Sequence, residues 1–234
     1  MLRRSRALLL GALLVSAPLL ALDYRVETLS EGPENPWALA FLPDGRMLVT
    51  ERVGRLRIVE ADGRVDPEPV AGLPEAFIAA QAGLMEVALD PDYSENRWLY
   101  LTYAHGSPEA NNTRLARARL VDDELRDFEV LFTAQPLKAG AAHYGGRIAF
   151  LADKTLVLTL GDGFDRREQA QNPANHLGKI VRLNRDGSVP QDNPLFGQQG
   201  AAPEIYSLGH RNVQGVFFDA EYDRLYSHEH GPRG

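Results

Sequence analysis

The stretch Leu39-Ala40-Phe41-Leu42-Pro43-Asp44-Gly45-Arg46-Met47-Leu48-Val49-Thr50 decides the fold. Two apolar runs, each too short for a helix, flank a Pro-Asp-Gly turn. Proline presets φ there and glycine takes φ > 0. Gly54 then turns the chain into Leu56-Arg57-Ile58-Val59, and Asp62-Gly63 turns it again.

The same phrase recurs along the chain. Val87-Ala88-Leu89 leads through Asp90-Pro91-Asp92 to Trp98-Leu99-Tyr100-Leu101 and then to Leu115-Ala116-Arg117-Ala118-Arg119-Leu120. A third copy runs Ile148-Ala149-Phe150-Leu151, Leu156-Val157-Leu158-Thr159-Leu160 and Ile180-Val181-Arg182-Leu183 before Asp186-Gly187. A fourth begins at Val216-Phe217-Phe218 and continues into Arg224-Leu225-Tyr226-Ser227. The spacing, roughly 50 to 65 residues, is that of propeller blades lengthened by loop insertions. No helical period is sustained, so the fold class is all-β. Radially arranged sheets that cover one another's edges, a β-propeller, suit a repeated phrase better than a β-sandwich does. About four copies are present, and the last stops in mid-phrase at Arg233-Gly234. The expectation is part of a longer propeller, because an unpaired strand leaves an open edge.

The 234 residues carry a formal net charge of -7, with 24% charged residues. An acidic surface argues against nucleic acid as a partner, since phosphate binding needs a basic face. The absence of cysteine excludes disulfides, thiolate nucleophiles and Cys-ligated zinc. Arg3, Arg4 and Arg6 precede an apolar run from Ala7 to Leu20, broken by Pro18. That is the pattern of a secretory signal peptide over residues 1–21, with the partial propeller over 22–234. The run is short for a membrane span. The expected location is the periplasm, with no embedding in the membrane after cleavage.

Several phrases together carry a family resemblance. They are Pro36-Trp37-Ala38-Leu39-Ala40-Phe41-Leu42-Pro43-Asp44-Gly45-Arg46, Val49-Thr50-Glu51-Arg52, Gln81-Ala82-Gly83-Leu84, Ala88-Leu89-Asp90-Pro91, His143-Tyr144-Gly145-Gly146-Arg147, His176-Leu177-Gly178-Lys179, Gly209-His210-Arg211-Asn212 and His230-Gly231-Pro232. In order and content the chain resembles the soluble quinoprotein glucose/sorbosone dehydrogenases, especially the aldose sugar dehydrogenase branch that uses the quinone PQQ. The resemblance implies a six-bladed propeller, of which about four blades are present here. It also implies PQQ and Ca²⁺ as cofactors, an aldose as substrate and an external electron acceptor.

The resemblance implies a role for each site residue, and each has a bland alternative. His143 would be the base that takes the C1 hydroxyl proton, since imidazole titrates near neutrality; otherwise it bonds loop backbone. Asp162, at the end of an apolar strand, would orient that imidazole; Gly161-Asp162-Gly163 also suits an Asx turn. Arg211 and Asn212 would face PQQ, with the guanidinium stabilising charge on the quinone; an interblade salt bridge is the alternative. His210 reads as structural. Gln81 would contact sugar or cofactor, in a loop where Ala82 replaces the family's usual glycine; a solvated glutamine reads nearly as well. The carbonyls of Gly231 and Pro232 would bind Ca²⁺, a hard cation that takes oxygen ligands. His228 and His230 could pair on zinc, but no third ligand is apparent. No phosphate-binding glycine motif suggests NAD.

The resemblance thus implies PQQ-dependent oxidation of an aldose at C1 to the lactone. Two other classes share the architecture: a Ca²⁺-dependent propeller lactonase, and a non-catalytic propeller that binds carbohydrate or protein.

Overall fold

Each repeated phrase folds as a hairpin and grows into an antiparallel meander. The computed structural model describes residues 24–231, so the expected signal peptide and Pro232 lie outside the described residues. The first sheet holds β1 (Pro36–Phe41), β2 (Met47–Glu51) and β3 (Arg55–Val59). The second holds β4 (Leu84–Leu89), β5 (Trp98–Gly106), β6 (Asn111–Val121) and β7 (Glu124–Thr133), with a one-turn helix α1 (Tyr93–Asn96) between its first two strands. The third holds β8 (Gly145–Phe150), β9 (Leu156–Leu160), β10 (Lys179–Leu183) and β11 (Ile205–Leu208). The fourth is the hairpin β12 (Val213–Asp219) and β13 (Arg224–Glu229). The first strand of each sheet contacts the first strand of the next, β1 with β4, β4 with β8 and β8 with β12. These are four consecutive blades of a propeller, as the repeated phrase predicts.

Alternation along the strands builds the interblade cores. On β5, Leu99, Leu101 and Tyr103 face the first blade, where they pack with Leu48, Leu56 and Ile58. Tyr100, between them in sequence, faces the third blade and packs with Leu156, Leu158 and Val181. Side chains of period two point to opposite faces, and a middle blade buries both. That is why Trp98–Leu101 reads as a continuous apolar run. Full burial of each such side chain contributes about 1.5–3 kcal/mol.

Leu42 and Leu151, expected as strand residues, fall in turns. Each closes its hairpin through backbone: Leu42 N donates to Arg46 O and Leu151 N to Thr155 O. Two outer strands, β7 and β11, were not singled out in the sequence. β7 is partly solvent-facing and carries Glu124, Arg126, Asp127 and Glu129.

A hydroxyl stitch repeats between blades. Every inner strand has a register shift near its start. On the second strand of three blades a buried threonine sits opposite it. Thr102 Oγ1 accepts from Glu86 N–H at 2.9 Å and donates to Gly146 O of the next blade at 2.7 Å. Thr50 does the same with Ala38 N–H and Met85 O, and Thr159 with Arg147 N–H and Val213 O. In the fourth blade the position falls to His228, paired with Gly215.

The same irregularities bring one residue from each inner strand together at the centre. The Arg147 guanidinium lies 3.9 Å from the Trp37 ring centroid. It also pairs with Glu86 at 3.2 Å and donates from Nε to Gln214 O at 2.8 Å. Burial raises the Glu86 pKa, and the Arg147 charge opposes that shift.

Candidate active site

The expected site residues gather at one end of the fold because of strand direction. Gln81 precedes β4, His143 precedes β8, and Arg211 and Asn212 precede β12, all at starts of inner strands. Asp162 follows β9, and His230 and Gly231 follow β13, at ends of the antiparallel second strands. The start of one strand and the end of its antiparallel neighbour share an edge.

His143 and Asp162 form a buried pair. Nδ1 of His143 lies 2.7 Å from Asp162 Oδ1, and both side chains are almost wholly enclosed. With Nδ1–H donating to the carboxylate, Nε2 keeps its lone pair and can accept a proton. The backbone of His143 is left-handed, with φ +52°, and its N–H donates to Gln81 Oε1 at 2.8 Å. The loop around it is locked: Gly145 N–H donates to Asn212 Oδ1 at 3.1 Å, and a Cβ on Gly161 would strike the His143 carbonyl.

Asp162 holds more than the imidazole. Its Oδ1 also accepts from Phe164 N–H at 2.8 Å, and its own N–H donates to Arg211 O at 2.8 Å. The Asx turn and the orienting contact therefore coexist on one carboxylate. Phe164 sets its ring edge-on to His143, with centroids 5.1 Å apart.

Glu229 ties the Arg211-Asn212 segment to β13, which the sequence did not reveal. Its Oε2 accepts from Arg211 N–H at 2.5 Å and from Asn212 N–H at 3.1 Å. His210 bonds Ser207 Oγ at 2.8 Å and lies 3.5 Å from Glu229 Oε1. The Arg211 guanidinium donates to His230 O at 3.0 Å and to Gly231 O at 3.4 Å. The Gly231 carbonyl expected for Ca²⁺ thus already faces a cation. Among the described residues no cluster of three or more His, Asp or Glu side chains could hold a metal.

Two buried lysines brace the loops, and sequence inspection missed both. Lys138 is enclosed below Asp162 and Gly163; its Nζ lies 3.9 Å from the Tyr144 ring and reaches Asn111 Oδ1 at 3.3 Å. Burial, together with the Arg166 charge and opposed by Asp162, pushes its pKa down to about 8. Lys179 Nζ donates to the carbonyls of Gln169, Ala170 and Leu177 at 3.0, 2.9 and 2.7 Å, and burial pushes it down to about 8 as well. Lys179 ends one of the phrases quoted above, but nothing in a sequence marks a lysine as buried.

The site offers a quinone a set of donors. Gln81, Asn212, Arg52, His230 and Trp37 line a cavity of about 310 Å³. Quinone oxygens are acceptors; the exposed Gln81 amide supplies N–H groups beside His143, and the Arg211 guanidinium lines a second cavity with Asp162 and Phe164. The donor chemistry fits the group that the resemblance implies.

Comparison with known proteins agrees. Residues 33–234 match the family model described as Glucose / Sorbosone dehydrogenase. The aldose sugar dehydrogenase of Escherichia coli K12 is 38% identical over 213 residues, covering 89% of this chain and 57% of that protein. An uncharacterised Synechocystis protein is 45% identical over 221 residues, covering 87% of this chain and 53% of its own length. The PQQ-bound aldose sugar dehydrogenase of Streptomyces coelicolor superposes with a TM-score of 0.74 at 32% identity, covering 86% of this chain and 58% of that one. The chain therefore spans somewhat more than half the length of these relatives. With the blades, the site geometry and a family match over most of its length, the chain belongs to the glucose/sorbosone dehydrogenase family.

Proposed function

We propose that this chain carries the proton-handling half of a PQQ-dependent aldose dehydrogenase. The substrate is an aldose, the bond oxidised is C1–H of the hemiacetal, and the product is the lactone. The observation that carries the reading is the enclosed His143–Asp162 pair at 2.7 Å. The similarity to an aldose sugar dehydrogenase and to a PQQ-bound one supports it.

When bound, PQQ supplies the two-electron acceptor. The rest falls to the protein. Asp162 fixes the His143 tautomer, so that Nε2 takes the C1 hydroxyl proton as the carbonyl forms. Arg211 places a permanent charge at the site, where developing negative charge is stabilised most. Gln81 holds the His143 loop through Oε1 and keeps its amide nitrogen for a ligand. Asn212 anchors Gly145, and this buried contact makes it a support for the loop beside any contact to cofactor. Electrons then pass to an external acceptor.

Ca²⁺ bound through the carbonyls of Gly231 and Pro232 belongs to the same proposal. It requires the Arg211 contact to Gly231 O to give way. Export to the periplasm is proposed on the basic, apolar N-terminal segment alone.

The experiment is to add PQQ and Ca²⁺ to the purified full-length protein, then an aldose and a dye acceptor. Sugar-dependent dye reduction is expected. Absence of PQQ binding overturns the reading.

A further inference from the structure

We propose that Phe164 is the apolar platform on which the sugar ring rests beside His143. The inference builds on the sugar-oxidising reading above and assigns a specificity-determining residue to it.

Three observations converge on this side chain. Its backbone is left-handed, with φ +71°. That region suits glycine and is a genuine outlier for a bulky residue, and such outliers cluster at ligand sites. Its ring is 53% exposed, although it stands in a loop beside a fully enclosed pair. A packing role would have turned the ring inward. Finally, its position is set from the catalytic side: its N–H is held at 2.8 Å by the same Asp162 oxygen that holds His143, and its ring meets the imidazole at 80° and 5.1 Å. The strained backbone thus serves to hold an aromatic surface out at a fixed place next to the base.

The surroundings say what the surface would take. Phe164 lines a cavity of about 330 Å³ with Asp162, Arg167, Gln171 and Arg211. A pyranose shows C–H groups on its faces and hydroxyls around its rim. The Phe164 ring offers apolar contact to such a face. Arg167 and Gln171 offer donors to the rim hydroxyls. Asp162 and Phe164 on the wall of this cavity both touch the His143 imidazole, so a ring seated there stands next to the base.

The test compares Phe164→Leu and Phe164→Tyr with wild type in the PQQ-loaded full-length protein. Binding is measured calorimetrically with a 1,5-anhydro sugar, which lacks the C1 hydroxyl and cannot be oxidised. PQQ affinity is measured separately. Leucine keeps apolar cover over His143 but removes the ring, so sugar binding should weaken about fivefold to tenfold while PQQ affinity holds. Tyrosine should restore sugar binding to within about twofold, since it keeps the aromatic face. If Phe164→Leu does not fold, Phe164→Gly, whose backbone suits this φ, serves in its place. Wild-type turnover with unchanged sugar affinity in the leucine variant overturns the platform alone. A wild-type protein that neither oxidises nor binds any aldose overturns the sugar-oxidising reading, and the platform with it.

Discussion

Replacing Thr102 with valine tests how the blade bearing His143 is held to its neighbour. The two side chains have nearly the same shape, so the change removes a hydroxyl and little else. Two buried groups lose their partner, Glu86 N–H at 2.9 Å and Gly146 O at 2.7 Å. An orphaned buried donor or acceptor costs about 1–3 kcal/mol. Some relaxation is shared between two groups on one hydroxyl, so the expected loss is about 2–4 kcal/mol. Against a domain stability of about 5–15 kcal/mol, that is a large share. Urea unfolding followed by tryptophan fluorescence should show a lower midpoint with an unchanged slope, because the surface exposed on unfolding is the same. Thr28→Val is the control, since Thr28 is exposed and should change stability by less than about 0.5 kcal/mol. A Thr102→Val cost no larger than that of the control would refute the stitch as an energetic link between blades.

Two further outcomes follow from the site. Asp162→Asn turns an acceptor into an amide that can donate to Nδ1 of His143, which moves the imidazole proton to Nε2. If the proposed sugar oxidation holds, turnover should fall by roughly 10³–10⁴, as in other His–carboxylate pairs, and a steady-state kcat loss under tenfold would remove Asp162 as the orienting group. For Lys138 the sign follows from its lowered pKa of about 8, below the unfolded value of about 10.4. Between these values the unfolded chain binds more protons, so stability rises as pH increases through that window and is lost as pH falls through 8. Lys138→Met removes this dependence. Chemical denaturation at pH 7 and pH 9.5 should show a wild-type gain larger than the variant's by about 2 kcal/mol, and equal gains would contradict a lowered Lys138 pKa.

The blades were legible because each phrase states its hairpin locally. Pro43-Asp44-Gly45 and the apolar runs around it need no distant partner to declare a turn between two strands. The outer strand β7 was not legible, since a strand facing water on much of its surface carries the charges of a loop. The site residues could be named from motifs, but their supports could not. That His143 and Asp162 meet depends on β8 pairing with β9, and the Glu229 clamp on Arg211 and Asn212 depends on β13 returning beside the start of β12. Those contacts join residues 17 to 19 positions apart across strands. The buried lysines and the left-handed Phe164 leave no mark in the sequence, because burial and φ are set by the packed loops around them.

The most direct measurement is turnover and cofactor binding in a His143→Gln variant of the full-length protein. Glutamine keeps a polar side chain of similar reach but cannot take the C1 proton. The account predicts that sugar-dependent dye reduction is abolished while PQQ still binds with nearly wild-type affinity. Retained turnover would contradict it, and would show that the proton leaves by another group.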